Sequence, residues 1–174
     1  MNIHIRHAKK EDMDRIMLIE HESFHQNIVE SRDVFAERIE LFPEGFLLLE
    51  IDGSIAGYIS SEIWEYTESI EQERFSLDHT IADVHTTAGS QLYISSIGIL
   101  KRHRGKGYGK LLFRELTERI NSKYEISDMV LIVSENWNAA RKIYEKNGFQ
   151  ETQRIPCFFD DDENSDAFVM RKRL

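Results

Sequence analysis

Residues 91–134 hold the arrangement that most narrows the folds open to this chain: a strand, a glycine-rich basic turn, a helix and a second strand, in that order. Gln91 to Leu100, QLYISSIGIL, has little polarity on either face, as a central strand requires. From about Gly107 to Ser122 the apolar residues Leu111, Leu112, Leu116 and Ile120 recur at helical spacing, and Met129 to Val133 is again apolar and strand-like. A strand joined to its neighbour through a crossover helix runs parallel to it, so one parallel pair is required here.

The rest of the chain reads as hairpins and two early helices. Asn2 to Arg6 alternates as a first strand, followed by helical patterns at Lys10 to Glu22 and about Ser31 to Leu41. Gly45 to Glu50 and Ser54 to Ile63 flank Asp52-Gly53, a strong hairpin signal. Trp137 to Asn147 is a helix stopped by Gly148, and Phe149 to Pro156 with Ala167 to Arg173 close a hairpin across the acidic turn DDDENSD. Between Trp64 and Ser90 lies a charged stretch without periodicity, read as a long loop with room for a helical turn. The fold class is α+β: a mostly antiparallel, twisted sheet of about seven strands with one parallel pair, strands four and five, flanked by about four helices.

At 174 residues, with no repeat, no low-complexity linker and two prolines, residues 1–174 are expected to form one domain. A formal net charge of −9 argues against general nucleic-acid binding, which needs clustered Lys and Arg. No apolar run suits a membrane or a secretory signal, and one cysteine, Cys157, agrees with a reducing compartment, so a cytoplasmic location is expected. Any anion site must then be local.

RHRGKGYGKLLF, residues 102–113, is the local candidate: bases and glycines directly before a helix, whose first amides and positive dipole end suit a diphosphate. A Walker loop would need Gly at Arg104 and Ser or Thr at Leu111; the dinucleotide fingerprint would need Gly at Lys110 or Leu112. Both fail on their defining residues. The pattern [QR]-x-x-G-x-[GA] fits, as Arg104, Gly107 and Gly109. This stretch resembles the coenzyme A signature of the GCN5-related N-acetyltransferases, and Asn138 to Phe149 resembles that family's N-x-x-A-x-x-x-Y-x-x-x-G-F segment. A fainter resemblance, in Phe42-Pro43-Glu44-Gly45-Phe46 and Ile63-Trp64, points to the arylalkylamine branch.

The resemblance implies the GNAT fold with strands four and five splayed, acetyl-CoA as cosubstrate, and direct transfer to an amine in a ternary complex without metal. The cofactor arm would lie along Ile97, Gly98 and Ile99. Its pyrophosphate would meet the amides of Gly105, Lys106, Gly107, Tyr108, Gly109 and Lys110, shaped by Arg104. Asn138 would bond the arm, or else cap its helix, and Lys142 is a further cofactor-binding candidate. Tyr144 would be the general acid to the departing thiolate. Where the arylalkylamine branch carries two histidines, this chain has Tyr93 and Ser95, so the proton route would use these, water, His85 or Glu62. Cys157, beyond both motifs, is read as an apolar filler rather than an acyl carrier.

On the acceptor side, Glu62 at the end of the third strand and Glu65, Glu68, Glu71, Glu73, Asp78 and Asp83 in the long loop stand against Arg74 alone, which predicts a negative mouth for a cationic small primary amine, polyamine or arylalkylamine-like. Acetylation of peptide N-termini and acyl-CoA binding without turnover are the alternatives. His79 and His85 lack a metal-ligand spacing, and Asp160, Asp161 and Asp162 lack the glycine of a calcium loop. A homodimer is left open.

Overall fold

The computed structural model describes all 174 residues. Seven strands form one sheet: β1 (Ile3–His7), β2 (Phe46–Ile51), β3 (Ser54–Trp64), β4 (Gln91–Ile99), β5 (Asp128–Ser134), β6 (Gln150–Ile155) and β7 (Ala167–Arg173). Their spatial order is β1-β2-β3-β4-β5-β7-β6, and β4–β5 is the parallel pair among antiparallel neighbours. Five helices accompany them: α1 (Met13–Ser23), α2 (Arg32–Leu41), α3 (Ile81–Val84), α4 (Tyr108–Asn121) and α5 (Asn138–Lys146). The fifth beyond the expected four is α3, a single turn inside the long segment after β3.

That segment is less loose than its sequence suggests. Ile70, Phe75 and Ile81 are buried, and each anchors a stretch with no periodic pattern of its own. The first helix starts at Met13 rather than Lys10 because Asp12 is diverted to other partners. Its carboxylate accepts from the Lys9 amide at 2.8 Å and takes two 2.8 Å bonds from Arg6 on β1, holding Lys10–Asp12 in a 3-10 turn.

The two faces of the sheet bury different sets of residues. Ile59 and Ile63 of β3 and Leu92 and Ile94 of β4 pack with Leu112, Leu116 and Ile120 of α4. On the opposite face Tyr58 packs with Ile16 and Ile19 of α1 and Phe35 and Ile39 of α2. Between Ser60 and Ser61 the β3–β4 register shifts: Ser60 pairs with Ser96 and Ser61 with Ile94, so Ser95 is an extra residue, a bulge. The bulge returns Ser96 to the α1 face, the face of Tyr93, and leaves Ile97 and Ile99 with the α4-side core.

β4 and β5 pair over only three positions, Gln91–Asp128, Leu92–Met129 and Tyr93–Val130, and then separate. The paired end is held by charge. Asp128, whose side chain is 2% exposed, accepts from Arg171 Nη2 at 2.7 Å, from Arg171 Nε at 3.0 Å and from Gln91 Nε2 at 3.2 Å. This links β4, β5 and β7 at the closed end of the pair, before the strands diverge. Arg171→Ala strands a buried carboxylate and is expected to cost about 3–5 kcal/mol, whereas Asp128→Asn with Arg171→Leu recovers most of it. Urea denaturation midpoints of the three proteins check this; equal losses in the single and double variants would remove the clamp from the account.

Candidate active site

Where β4 and β5 diverge, a cleft of about 1010 Å³ opens through the sheet. One wall is β4 from Tyr93 to Ile99; the other is Leu131 and Ile132 of β5 with Ala140, Ile143 and Tyr144 of α5. Beyond Tyr93 the β5-facing edge of β4 has no strand partner, so its backbone is open to an extended ligand.

The loop before α4 forms one end of the cleft. Gly105 and Gly107 have φ of +74° and +82°, and a Cβ on either would meet nothing within 4 Å, so conformation rather than crowding demands glycine. Gly107 is the N-cap residue of α4 and offers no side-chain acceptor, so the first amides of the helix remain free for an anion. Arg104 and Lys110 line the cleft beside them, joined by Lys146, which the sequence motifs had not singled out. Arg104 is also a brace: its Nε donates to the Ile99 carbonyl at 2.7 Å and its Nη2 to Ser23 Oγ at 3.3 Å. Tyr108 turns its ring into the core, with its hydroxyl 3.5 Å from Met1 Sδ, and adds only backbone to the loop. A strand edge without a partner, an uncapped helix start and bases around it fit the long, anionic cosubstrate implied by the sequence motifs.

Other positions fall elsewhere. Lys106 and Lys142 are exposed and do not line the cleft, and Asn138, also exposed, is the first residue of α5 rather than its cap, which is Trp137. Asn138 therefore does not act as the helix-capping residue that its type suggests. Tyr144 does face the cleft, packed between Phe113 and Phe149 at ring distances of 5.7 and 6.0 Å, and burial raises its phenol to about 12.

The far end, on the α1–α2 face, carries the titratable groups. His85 is not among them: its Nδ1 accepts from the Ile63 amide at 3.0 Å and its ring lies 4.3 Å from Phe42, on the α4 side. Glu62 is buried and does not line the cleft; it pairs with His79, which does. The second ring nitrogen of His79 is 2.9 Å from the Ser76 carbonyl, so both nitrogens face acceptors and the imidazolium suits the site. Burial works against that charge, but the bond to Glu62, its negative charge and the Ser76 carbonyl raise His79 above the ordinary histidine value. Tyr93 stacks on Trp64 at 4.3 Å, and burial drives its phenol well upward. Ser95 bonds to Ser60 across the bulge at 2.8 Å.

The acidic residues of the long segment do not form a negative mouth. None of Glu62, Glu65, Glu68, Glu71, Glu73, Asp78 and Asp83 lines the cleft; Asp78, for one, accepts from the Ser31 amide at 2.8 Å. The acids that do line it are Glu20, Glu30 and Asp160, from other parts of the chain. Glu20 left a trace in the sequence, as a carboxylate on the α1 stripe of Met13 and Ile16. No group of His, Cys, Asp and Glu is placed to hold a metal, and no helix is long and apolar enough to cross a membrane.

Around this end two segments face each other. The α1–α2 connection brings Phe24 and Ile28, the β6–β7 turn brings Phe158 and Phe159, and His25 approaches Asp162 across them at 3.3 Å. Phe75 and Leu77 complete an apolar trough that leads toward the bulge.

The profile of the acetyltransferase (GNAT) family matches residues 5–149. An N-alpha-acetyltransferase from Sulfurisphaera tokodaii is 25% identical over 171 residues, covering 98% of this chain and 92% of that protein. Among solved structures, Ard1 from Thermoplasma volcanium superimposes with a TM-score of 0.78 at 18% identity, covering 100% of this chain and 99% of its own. Arabidopsis thaliana Naa50, in complex with the bisubstrate analogue CoA-Ac-MVNAL, gives 0.76 at 20% identity over the full length of both chains.

The His79–Glu62 pair makes a prediction of its own. Because the folded value is raised, the pair adds stability that is complete below the ordinary value of 6.5 and is lost as pH rises through the folded value. In Glu62→Gln, burial becomes the dominant influence and the His79 ring should titrate lower than in the native protein. Histidine-ring NMR titration of the two proteins reads this directly, and an unmoved titration would exclude Glu62 as the cause.

Proposed function

The chain belongs to the acetyltransferase (GNAT) family and is an acetyl-CoA-dependent N-acetyltransferase, and from that premise we propose that its acceptor is the free α-amino group at the N-terminus of a polypeptide. The observation that carries this reading is the trough between the α1–α2 connection and the β6–β7 turn. Walled by Phe24, Ile28, Phe75, Leu77, Phe158 and Phe159, it suits the first residues of an extended chain better than a compact polar amine. The N-alpha-acetyltransferase of Sulfurisphaera tokodaii, aligned over nearly all of this chain, supports the same acceptor. A small polyamine would look for a mouth of carboxylates, and the acids of the 65–90 segment that would have supplied it lie away from the cleft.

In this reading the chemistry is divided between the two faces of the sheet. Acetyl-CoA supplies an activated thioester carbonyl and a thiol leaving group. The α4 amides, with Arg104 and Lys110, hold the diphosphate, and the open edge of β4 pairs with the arm. A main-chain N–H of β4 near the bulge polarises the carbonyl as oxygen gains charge. As the new C–N bond forms and the C–S bond breaks, Tyr144 donates its proton to the sulfur. A phenol raised to about 12 keeps its proton at neutral pH and is therefore available as the donor.

Two measurements test this. Thiol release from acetyl-CoA should be seen with short peptides bearing free N-termini and not with their N-formylated forms, with mass spectrometry placing the acetyl group on the α-nitrogen; turnover of polyamines or arylalkylamines alone would overturn the acceptor. Tyr144→Phe should lower kcat about 100-fold or more while leaving coenzyme A affinity unchanged by calorimetry. Full turnover in that variant would exclude Tyr144 as the acid.

A further inference from the structure

We propose that Glu20 is the terminal acceptor of the amine proton, reached through the hydroxyl of Ser96 at the β4 bulge. Amine acetylation needs a base on the acceptor side, and the groups lining that end are few. His79 directs both ring nitrogens at acceptors and has no free lone pair to offer. Tyr93 would have to form a buried phenolate. Glu30 is engaged by Arg38 at 3.0 Å. Asp160 is exposed on the β6–β7 turn.

Glu20 differs from all of these. The residue is 1% exposed yet lines the cleft, and its two carboxyl oxygens are anchored differently. Oε1 accepts from the Glu30 amide at 3.1 Å, which fixes the group. Oε2 bonds the Tyr58 hydroxyl and is 3.4 Å from Ser96 Oγ, while Tyr58 and Ser96 are 2.7 Å apart. Ser96 lies on this face only because the bulge at Ser95 puts it there, on the stretch of β4 that lines the cleft. A hydroxyl can accept one proton while releasing another, so one N–H proton of the acceptor's ammonium form passes to Ser96 Oγ as the Ser96 proton passes to Oε2, directly or through Tyr58. The neutral amine left behind has a lone pair to form the C–N bond, the second proton that nitrogen then loses replaces the one Tyr144 gives to sulfur, and the first ends on Glu20 as neutral carboxylic acid.

The environment poises the group for this task. Burial raises the Glu20 carboxyl, against the bonds from Tyr58 and the Glu30 amide, to about 7; the charge of Glu30 adds to the rise and that of Arg38 on α2 opposes it. Below that pH Glu20 holds a proton and cannot accept another; above it the carboxylate is free. The inference rests on amine acetylation at this cleft and not on which amine is used.

The test combines kinetics with a readout that needs no turnover. In Glu20→Gln, with acetyl-CoA and a short peptide bearing a free N-terminus, kcat should fall about 100-fold or more with KM little changed. The acid limb of the native pH–rate profile, centred near 7, should disappear. Ser96→Ala should lower kcat comparably while leaving the Glu20 carboxyl in place, which guards against a folding defect in the first variant. Infrared difference spectroscopy between pH 5 and pH 9 should show a protonated carboxyl band in the native protein and in Ser96→Ala that is missing from Glu20→Gln. A Glu20→Gln enzyme with native kcat and an unchanged acid limb would overturn the proposal, as would a native spectrum without that band. If peptides fail and another amine turns over, the same kinetics are read with that amine, so failure of the acceptor assignment remains separate.

Discussion

Everything functional in this fold depends on two parallel strands that pair for three residues and then part. A fully paired β4–β5 ladder would leave no cleft, no open backbone edge and no passage from one face of the sheet to the other. Parting strands exposes ladder groups, and that cost is bearable only because the pair is fastened elsewhere. The clamp of Gln91, Asp128 and Arg171 holds the closed end, and the antiparallel β5–β7 ladder, which runs the full length of β5, supports the strand after it leaves β4. The crossover through α4 then sets the glycine loop at the wide end of the gap, with the first helical amides turned toward it.

The split also separates two kinds of chemistry. On the α4 side are free amides, bases and Tyr144, a set suited to a polyanionic cosubstrate and a departing thiolate. On the α1–α2 side is a chain of charge, the buried Glu20, Glu30, Arg38 and Glu62 with the half-buried His79, in a protein whose overall charge is −9. Arg38 is 1% exposed, and its Nε and Nη1 have no partner. It balances three carboxyls from α1, the α1–α2 connection and β3 through one bond and its field. A low-dielectric setting of this kind strengthens each interaction and shifts the affinities for protons, which a proton-handling site requires.

Much of this was legible in residue order. The strand–helix–strand unit at 91–134 required the parallel pair, Asp52-Gly53 marked the β2–β3 turn, and Arg104, Gly107 and Gly109 beside Asn138 to Phe149 identified the family. These features are local: periodicity, turn chemistry and motif spacing act within a few residues, so a linear reading reaches them. Sequence alone offers His79 only as a metal-ligand candidate, because its value lies in a contact with Glu62 seventeen positions away. His85 stands out by residue type, yet its ring turns to the backbone of Ile63 on the other face. The acids of the 65–90 segment suggested a charged mouth, while the fold aims them elsewhere.

The sequence by itself determined the strands and helices, their order, the parallel crossover and the backbone freedom of the glycine loop, because each follows from side-chain pattern and local conformational preference. Tertiary structure alone decided which face each polar group would serve. A straight β4 would put Ser95, Ile97 and Ile99 on the face of Tyr93; one extra residue at Ser95 sends the two isoleucines to the α4 side and turns Ser96 toward Glu20. A bulge is fixed by how β4 meets β3, an interaction between residues more than thirty positions apart, and no local preference in either strand encodes it.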